Sequence, residues 1–94
     1  MNFQSIYNNL IKKRKVLPAS LDPNISADTA FEQHHIIPRS FGGLNNADNF
    51  VELTLREHYI SHLLLYKIEL ANGNIDCADK MACALWFFIN KKSK

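Results

Sequence analysis

Apolar residues change their spacing along this chain, and each change marks an element. Phe3, Ile6, Tyr7, Leu10 and Ile11 recur at helical intervals, so residues 3 to 15 are read as an amphipathic helix. Residues 18 to 30 lose the period and carry Pro18, Ser20, Pro23, Asn24, Ser26 and Asp28, the composition of a loop. Phe31 to Ile37 predicts a short strand closed by Pro38. Gly42, Gly43, Asn45, Asn46 and Asp48 mark a turn-rich loop, and Phe50 to Leu53 a second short strand. Thr54 and Glu57 then form a capping box, which predicts a helix from Leu55 to Ala71 stopped by Asn72, Gly73 and Asn74. A last helix is expected from Asp76 to Asn90, with Met81, Leu85, Trp86, Phe88 and Ile89 as apolar positions. The predicted fold is α+β: two short antiparallel strands and a helix, flanked by an N-terminal and a C-terminal helix.

Length allows one domain over residues 1 to 94, with the strand–loop–strand–helix core at 31 to 71. A core this small stabilises weakly, and a metal tying distant segments together would add to folding free energy. The net charge of +2 decides little. Its distribution says more: Lys12, Lys13, Arg14 and Lys15 run together, and Lys91, Lys92 and Lys94 follow the last helix. Such clusters suit a polyanion, although a run of charge by itself is more often a solvated helix end. Cys77 and Cys83 have neither zinc-ligand nor disulfide spacing and are expected to be small buried apolar residues. Met1 to Lys15 lacks the apolar stretch of a signal peptide, and Met81 to Ile89 is too short to span a bilayer. A soluble, intracellular protein without a membrane partner is therefore expected.

All four histidines fall in the central unit: His34 and His35 on the first strand, His58 and His62 on the helix. The helical pair stands at i, i+4, so both imidazoles leave one face about a turn apart and can reach one ion. Adjacent strand residues point to opposite faces, so an ideal strand offers the helix only one of the doublet. Each feature alone is weak. A histidine doublet, a glycine turn, an asparagine and a capped helix with His-x-x-x-His, following one another, predict a metal site.

The run from Glu32 through His34, His35, Ile36, Ile37, Pro38, Arg39, Ser40 and Phe41 to Gly42-Gly43 resembles the HNH endonucleases. So do Asn49 to Thr54 and the run Glu57-His58-Tyr59-Ile60-Ser61-His62-Leu63-Leu64. The likeness is strongest to the small phage-type HNH homing endonucleases, and the histidine spacing is also similar to that of the colicin nuclease domains. The flanks Ile6 to Ile11 and Lys80 to Trp86 look like the phage-type members too. This resemblance implies a ββα-metal fold holding one divalent ion, zinc, magnesium, manganese or nickel. It implies His34, His58 and His62 as metal ligands and His35 as the general base. Asn49 would brace the loop and orient that base, and Glu32 would be an acidic neighbour of the metal. DNA is the implied substrate, cut by a phage-encoded enzyme in the host cytoplasm. Homing members often carry further DNA-binding modules after this motif.

Phosphodiester hydrolysis needs an activated water, charge stabilisation at phosphorus and help for the leaving oxygen. An imidazole accepts a proton near neutral pH, and three imidazoles on one cation leave positions open for substrate oxygens. Arg39 lies just past the first strand and is expected, with Lys12, Lys13, Arg14 and Lys15, to contact phosphates. The rival reading is a catalytically inactive, zinc-stapled DNA-binding module descended from such a nuclease. His35 argues against it, because a purely structural site has no need of that residue.

Overall fold

A computed structural model describes residues 2–26 and 28–92, with side chains as far as Trp86. The expected roles of Phe88, Ile89, Lys91, Lys92 and Lys94 rest on side chains outside that set, and Met1 lies outside it too.

Helix α1, Phe3–Val16, is capped by Asn2, whose side chain accepts from the Ser5 amide at 3.0 Å. Its inward stripe is Phe3, Tyr7, Ile11 and Arg14, whereas Ile6 is half exposed. Arg14 therefore stands where the helical period calls for an apolar residue, and only 2% of it is accessible. Its Nε and Nη2 donate to the Glu57 carboxylate at 3.0 and 2.9 Å, and Nη1 to Asp22 at 2.9 Å and the Leu17 carbonyl at 3.3 Å. This corrects the expectation that Arg14 contacts phosphate: its donors are engaged inside the protein. The exposed basic run narrows to Lys12, Lys13 and Lys15, of which Lys15 donates to the Asp48 carbonyl at 3.1 Å.

The expected loop holds one short 3-10 turn, Ala19–Leu21, tied to the sheet where Glu52 accepts from the Ser20 amide at 2.7 Å. Strands β1, Phe31–His35, and β2, Phe50–Thr54, pair antiparallel with His34 opposite Val51 and His35 opposite Phe50. Strand β1 ends before the predicted Ile37 because Asn49 takes over the chain there. The Ile36 amide donates to the Asn49 backbone carbonyl and the Ile37 amide to Asn49 Oδ1, both at 2.8 Å.

Helix α2, Leu55–Ala71, opens with the predicted capping box: Thr54 accepts from the Glu57 amide, and Glu57 accepts from the Thr54 amide. It closes on Gly73, whose φ of 76° suits a residue without Cβ. The amides of Gly73 and Asn74 return to the carbonyls of Leu70 and Glu69, a Schellman closure. Helix α3, Ile75–Lys92, folds back on α2 and buries Ala78 and Met81. Tyr7, Leu64, Leu65, Ile68 and Met81 form a core shared by all three helices, and Val51 and Leu53 of β2 are buried as well. The fold is thus a ββα unit flanked by two helices, as expected. Cys77 and Cys83 depart from expectation, being half-buried and exposed, because α3 turns Ala78 and Met81 inward instead. No helix among the described residues is long and apolar enough to cross a membrane.

The ion cluster under α1 has a clear electrostatic signature. Hydrogen bonding to Glu57 raises the Arg14 pKa. Burial alone would raise the Glu57 carboxyl, but Arg14 and the Thr54 amide win and hold it below its ordinary value. The Asn24 amide and then Arg14 do the same for Asp22. Arg14→Ala leaves both carboxylates without their cation. It is expected to lower the melting temperature by ~10–20 °C at pH 7. Depressed carboxyl pKa values stabilise above the unfolded values, and that contribution is lost as pH falls through the folded ones. The gap between wild type and Arg14→Ala should accordingly narrow on acidification below the ordinary carboxylate range. A gap constant with pH would show that the ion pairs are not its source.

Candidate metal centre

The strand and the helix bring three of the four histidines together. His34, His58 and His62 can each offer a ring nitrogen such that all three lie within 4.8 Å of one another. The His34 ring centroid is 5.1 Å from that of His58 and 5.5 Å from that of His62. Two periodicities produce this: i, i+4 on α2, and the strand alternation that turns His34 inward until 2% remains accessible.

Two of the three rings are oriented by what their other nitrogen touches. His34 Nε2 lies 2.8 Å from the Tyr7 hydroxyl, which itself donates to the Ile36 carbonyl at 2.8 Å. His58 Nδ1 donates to Glu32 at 2.8 Å, placing the acidic side chain behind the ring. His58 Nε2 and His62 Nε2 are 3.1 Å apart. Two nitrogens each ~2.0–2.1 Å from a tetrahedral zinc would stand ~3.3–3.4 Å apart, so the pair already has close to the spacing of two ligands. The donor set fits a divalent cation with a taste for imidazole, and the carboxylate behind His58 supports a ring in that role. His62 Nδ1 and the Ser61 hydroxyl are buried with no hydrogen-bond partner among the described residues.

The environment keeps two rings neutral. Burial, then the neighbouring histidines, pushes His34 down to about 3. Burial and then His58 push His62 down to about 4, against a smaller opposing pull from Glu32. A neutral imidazole has the lone pair that a metal requires.

His35 departs from the other three. It sits one residue along β1, tilts against Phe50 with ring centroids 4.6 Å apart, and has Nε2 2.8 Å from Asn45 Oδ1. It nevertheless borders the same cleft as His34, a depression of about 530 Å³ whose lining also includes Arg39, Ser40, Lys80 and Cys83. No aspartate or glutamate lines this cleft among the described residues.

Asn49 braces the turn and leaves the imidazole to a neighbour. Its Nδ2 donates to the Ile37 and Leu44 carbonyls at 3.0 and 2.9 Å, while Oδ1 accepts from Ile37. The side chain on His35 is Asn45, which the sequence reading passed over. The two glycines serve differently: Gly42 has φ 92°, whereas a Cβ on Gly43 would collide with the Ile37 carbonyl and approach Asn49 Nδ2 to 2.9 Å. Of the expected phosphate contacts, Arg39 borders the cleft and Lys12, Lys13 and Lys15 do not. Lys80, on α3, joins Arg39 there, with Nζ 3.5 Å from the Ser40 carbonyl. Tyr7, Asn45 and Lys80 lie outside the histidine spacing, so no local pattern marked them.

Comparison with known proteins finds relatives of the chain among the proteins of a phage. It is 50% identical over 90 residues, 96% of its length, to "Probable mobile endonuclease D" of Enterobacteria phage T4, of which this covers 31%. "Probable mobile endonuclease C" of the same phage is 38% identical over the whole chain, covering 39% of that relative. "Probable mobile endonuclease E" is 44% identical over 72% of the chain and 43% of the relative. The chain thus spans well under half the length of these curated relatives. No family model matches the chain, and no solved structure matches it.

The neutral rings give the metal-free protein a pH dependence of known sign. Both folded pKa values lie below the ordinary histidine value of 6.5, so the unfolded chain takes up protons first as pH falls. The contribution is fully present above that value and is lost as pH drops toward about 4. In chelator, the melting temperature should fall by ~10 °C or more between pH 7 and pH 4.5. A flat profile over that interval would mean that these rings are not held neutral.

Proposed function

We propose that this chain, which is 50% and 38% identical over nearly its full length to two phage proteins named probable mobile endonucleases, is an HNH-type nuclease domain that hydrolyses phosphodiester bonds in DNA. The observation that carries the reading is the convergence of three imidazoles from β1 and α2 beside a cleft with cationic walls.

His34, His58 and His62 would hold one divalent ion, zinc, nickel, manganese or magnesium, whose charge supplies Lewis-acid stabilisation to the phosphate. Glu32 accepts from His58 Nδ1–H and fixes the ring, which leaves the lone pair of His58 Nε2 to ligate the ion. His35 is the general base. Its Nε2–H donates to Asn45 Oδ1, which leaves the lone pair on Nδ1 to take a proton from the attacking water. Asn49 holds the turn after β1 in shape, and with it the position of His35. Arg39 and Lys80, both in the cleft lining, bind the phosphates of the strand lying in the cleft. Lys12, Lys13 and Lys15 add a more distant attraction to the same polyanion.

Two measurements separate chemistry from metal holding. His35→Ala should lower the rate of supercoiled-plasmid nicking by ~10²–10⁴ while keeping the zinc-dependent melting shift. His58→Ala should lose both. Nicking by His35→Ala at the wild-type rate would remove it as the base, and equal loss of metal would make it a ligand. Wild type that binds zinc and DNA but fails to nick with any metal added would instead be the stapled binding module.

Binding to a short DNA duplex tests the cleft walls. Affinity should fall steeply with salt, and Lys80→Gln and Arg39→Gln should each reduce the log–log slope by ~1. Unchanged slopes would put the DNA on another face.

A further inference from the structure

We infer that Tyr7, on α1 and outside the strand–turn–strand–helix motif, is a positioning residue of the metal centre that fixes the tautomer of His34. The inference rests on the metal-binding reading of the three histidines. It follows from counting hydrogens. A tyrosine hydroxyl has one hydrogen, and Tyr7 donates it to the Ile36 carbonyl at 2.8 Å. The contact of 2.8 Å between the same hydroxyl and His34 Nε2 then requires Nε2 to carry the other hydrogen and to donate. A neutral imidazole has only one N–H, so His34 Nδ1 is left with the lone pair. The opposite arrangement would deprive the Ile36 carbonyl of its Tyr7 partner and put a hydrogen on Nδ1, blocking it as a ligand.

The surroundings enforce this choice. Tyr7 is only 3% accessible, and a phenol with an ordinary pKa of ~10 is a neutral hydroxyl at pH 7. Its acceptor is held as well, since the Ile36 amide is bonded to the Asn49 carbonyl at 2.8 Å. The position of α1 is set by Arg14, two turns from Tyr7, which grips Glu57, the residue before His58. The helix carrying Tyr7 and the helix carrying two of the ligands are thus joined by an ion pair beside the site. His58 has its Glu32, and His34 has Tyr7. Ligands of this kind depend on such outer partners, whose loss typically weakens metal binding ~10- to 100-fold.

The test uses the whole chain and zinc alone. In metal-free wild type, nitrogen NMR of the imidazoles should show His34 with hydrogen on Nε2. Tyr7→Phe keeps the ring and removes the hydroxyl. It should release that preference and weaken zinc affinity, measured by competition with a chelating dye, by ~10- to 100-fold. A purely structural tyrosine would lower the metal-free melting temperature and leave the zinc affinity of the folded protein unchanged, and that outcome overturns the inference. So does a wild-type His34 with hydrogen on Nδ1. If Tyr7→Phe does not fold, 3-fluorotyrosine at position 7 keeps the shape but accepts more weakly from Nε2. Zinc affinity should then fall severalfold, and no change overturns the inference. Wild type that fails to bind zinc overturns the metal reading itself. Wild type that binds normally beside an indifferent Tyr7→Phe overturns the role of Tyr7 alone.

Discussion

An imidazole buried on a two-stranded sheet is the constraint on which the rest of this structure depends. His34 keeps only 2% of its surface accessible, and a buried polar ring must find partners for its nitrogens or cost stability. One nitrogen finds the Tyr7 hydroxyl, while the ring stands among those of His58 and His62. Satisfying that ring therefore requires α1 on one side and α2 on the other. The sheet, with two strands of five residues each, has too little surface to form a core of its own, and the helices supply it.

Arg14 explains how α1 comes to be held so firmly by a polar contact. Its guanidinium makes a forked pair with Glu57, the residue that also closes the capping box of α2. One carboxylate thus caps the start of a helix and receives a buried cation, and a change at any member reaches the others. The asparagine turn acts in the same way on the opposite side. Asn49 closes a loop through three side-chain hydrogen bonds, and Gly43 lets the Ile37 carbonyl come close enough for that loop to exist. Scaffold and site overlap here: residues that shape the backbone stand next to those that carry the chemistry.

The cleft is where α3 enters. The turn at Gly73 folds α3 back over α2, which buries Met81 and brings Lys80 into the lining of the cleft that the histidines share. A helix that reads as core packing thereby also supplies a cation to the site. Cys83 reaches the cleft by the same rotation that keeps Met81 inside, which is why it is exposed although its neighbours in sequence are apolar.

Local rules sufficed for much of this protein. The α2 boundaries, the capping box, the glycine stop and the two strands were legible because short-range hydrogen bonding and hydrophobic period decide them. The i, i+4 histidines and the alternation of the doublet likewise follow from fixed helical and strand repeats, so the candidate ligands could be named from spacing together with the family resemblance. Arg14 was only half legible. Its place on the Phe3–Tyr7–Ile11 stripe put it inward, but the run Lys12 to Lys15 gave it the look of surface charge. Which reading wins depends on Glu57 and Asp22 being there to receive it, and both are brought by the tertiary fold. The same holds for Tyr7 on His34, Asn45 on His35 and Lys80 on the cleft. Each joins segments whose distance in the chain carries no periodic signal, and only the packing of α1, the turn and α3 around the sheet decides that they meet.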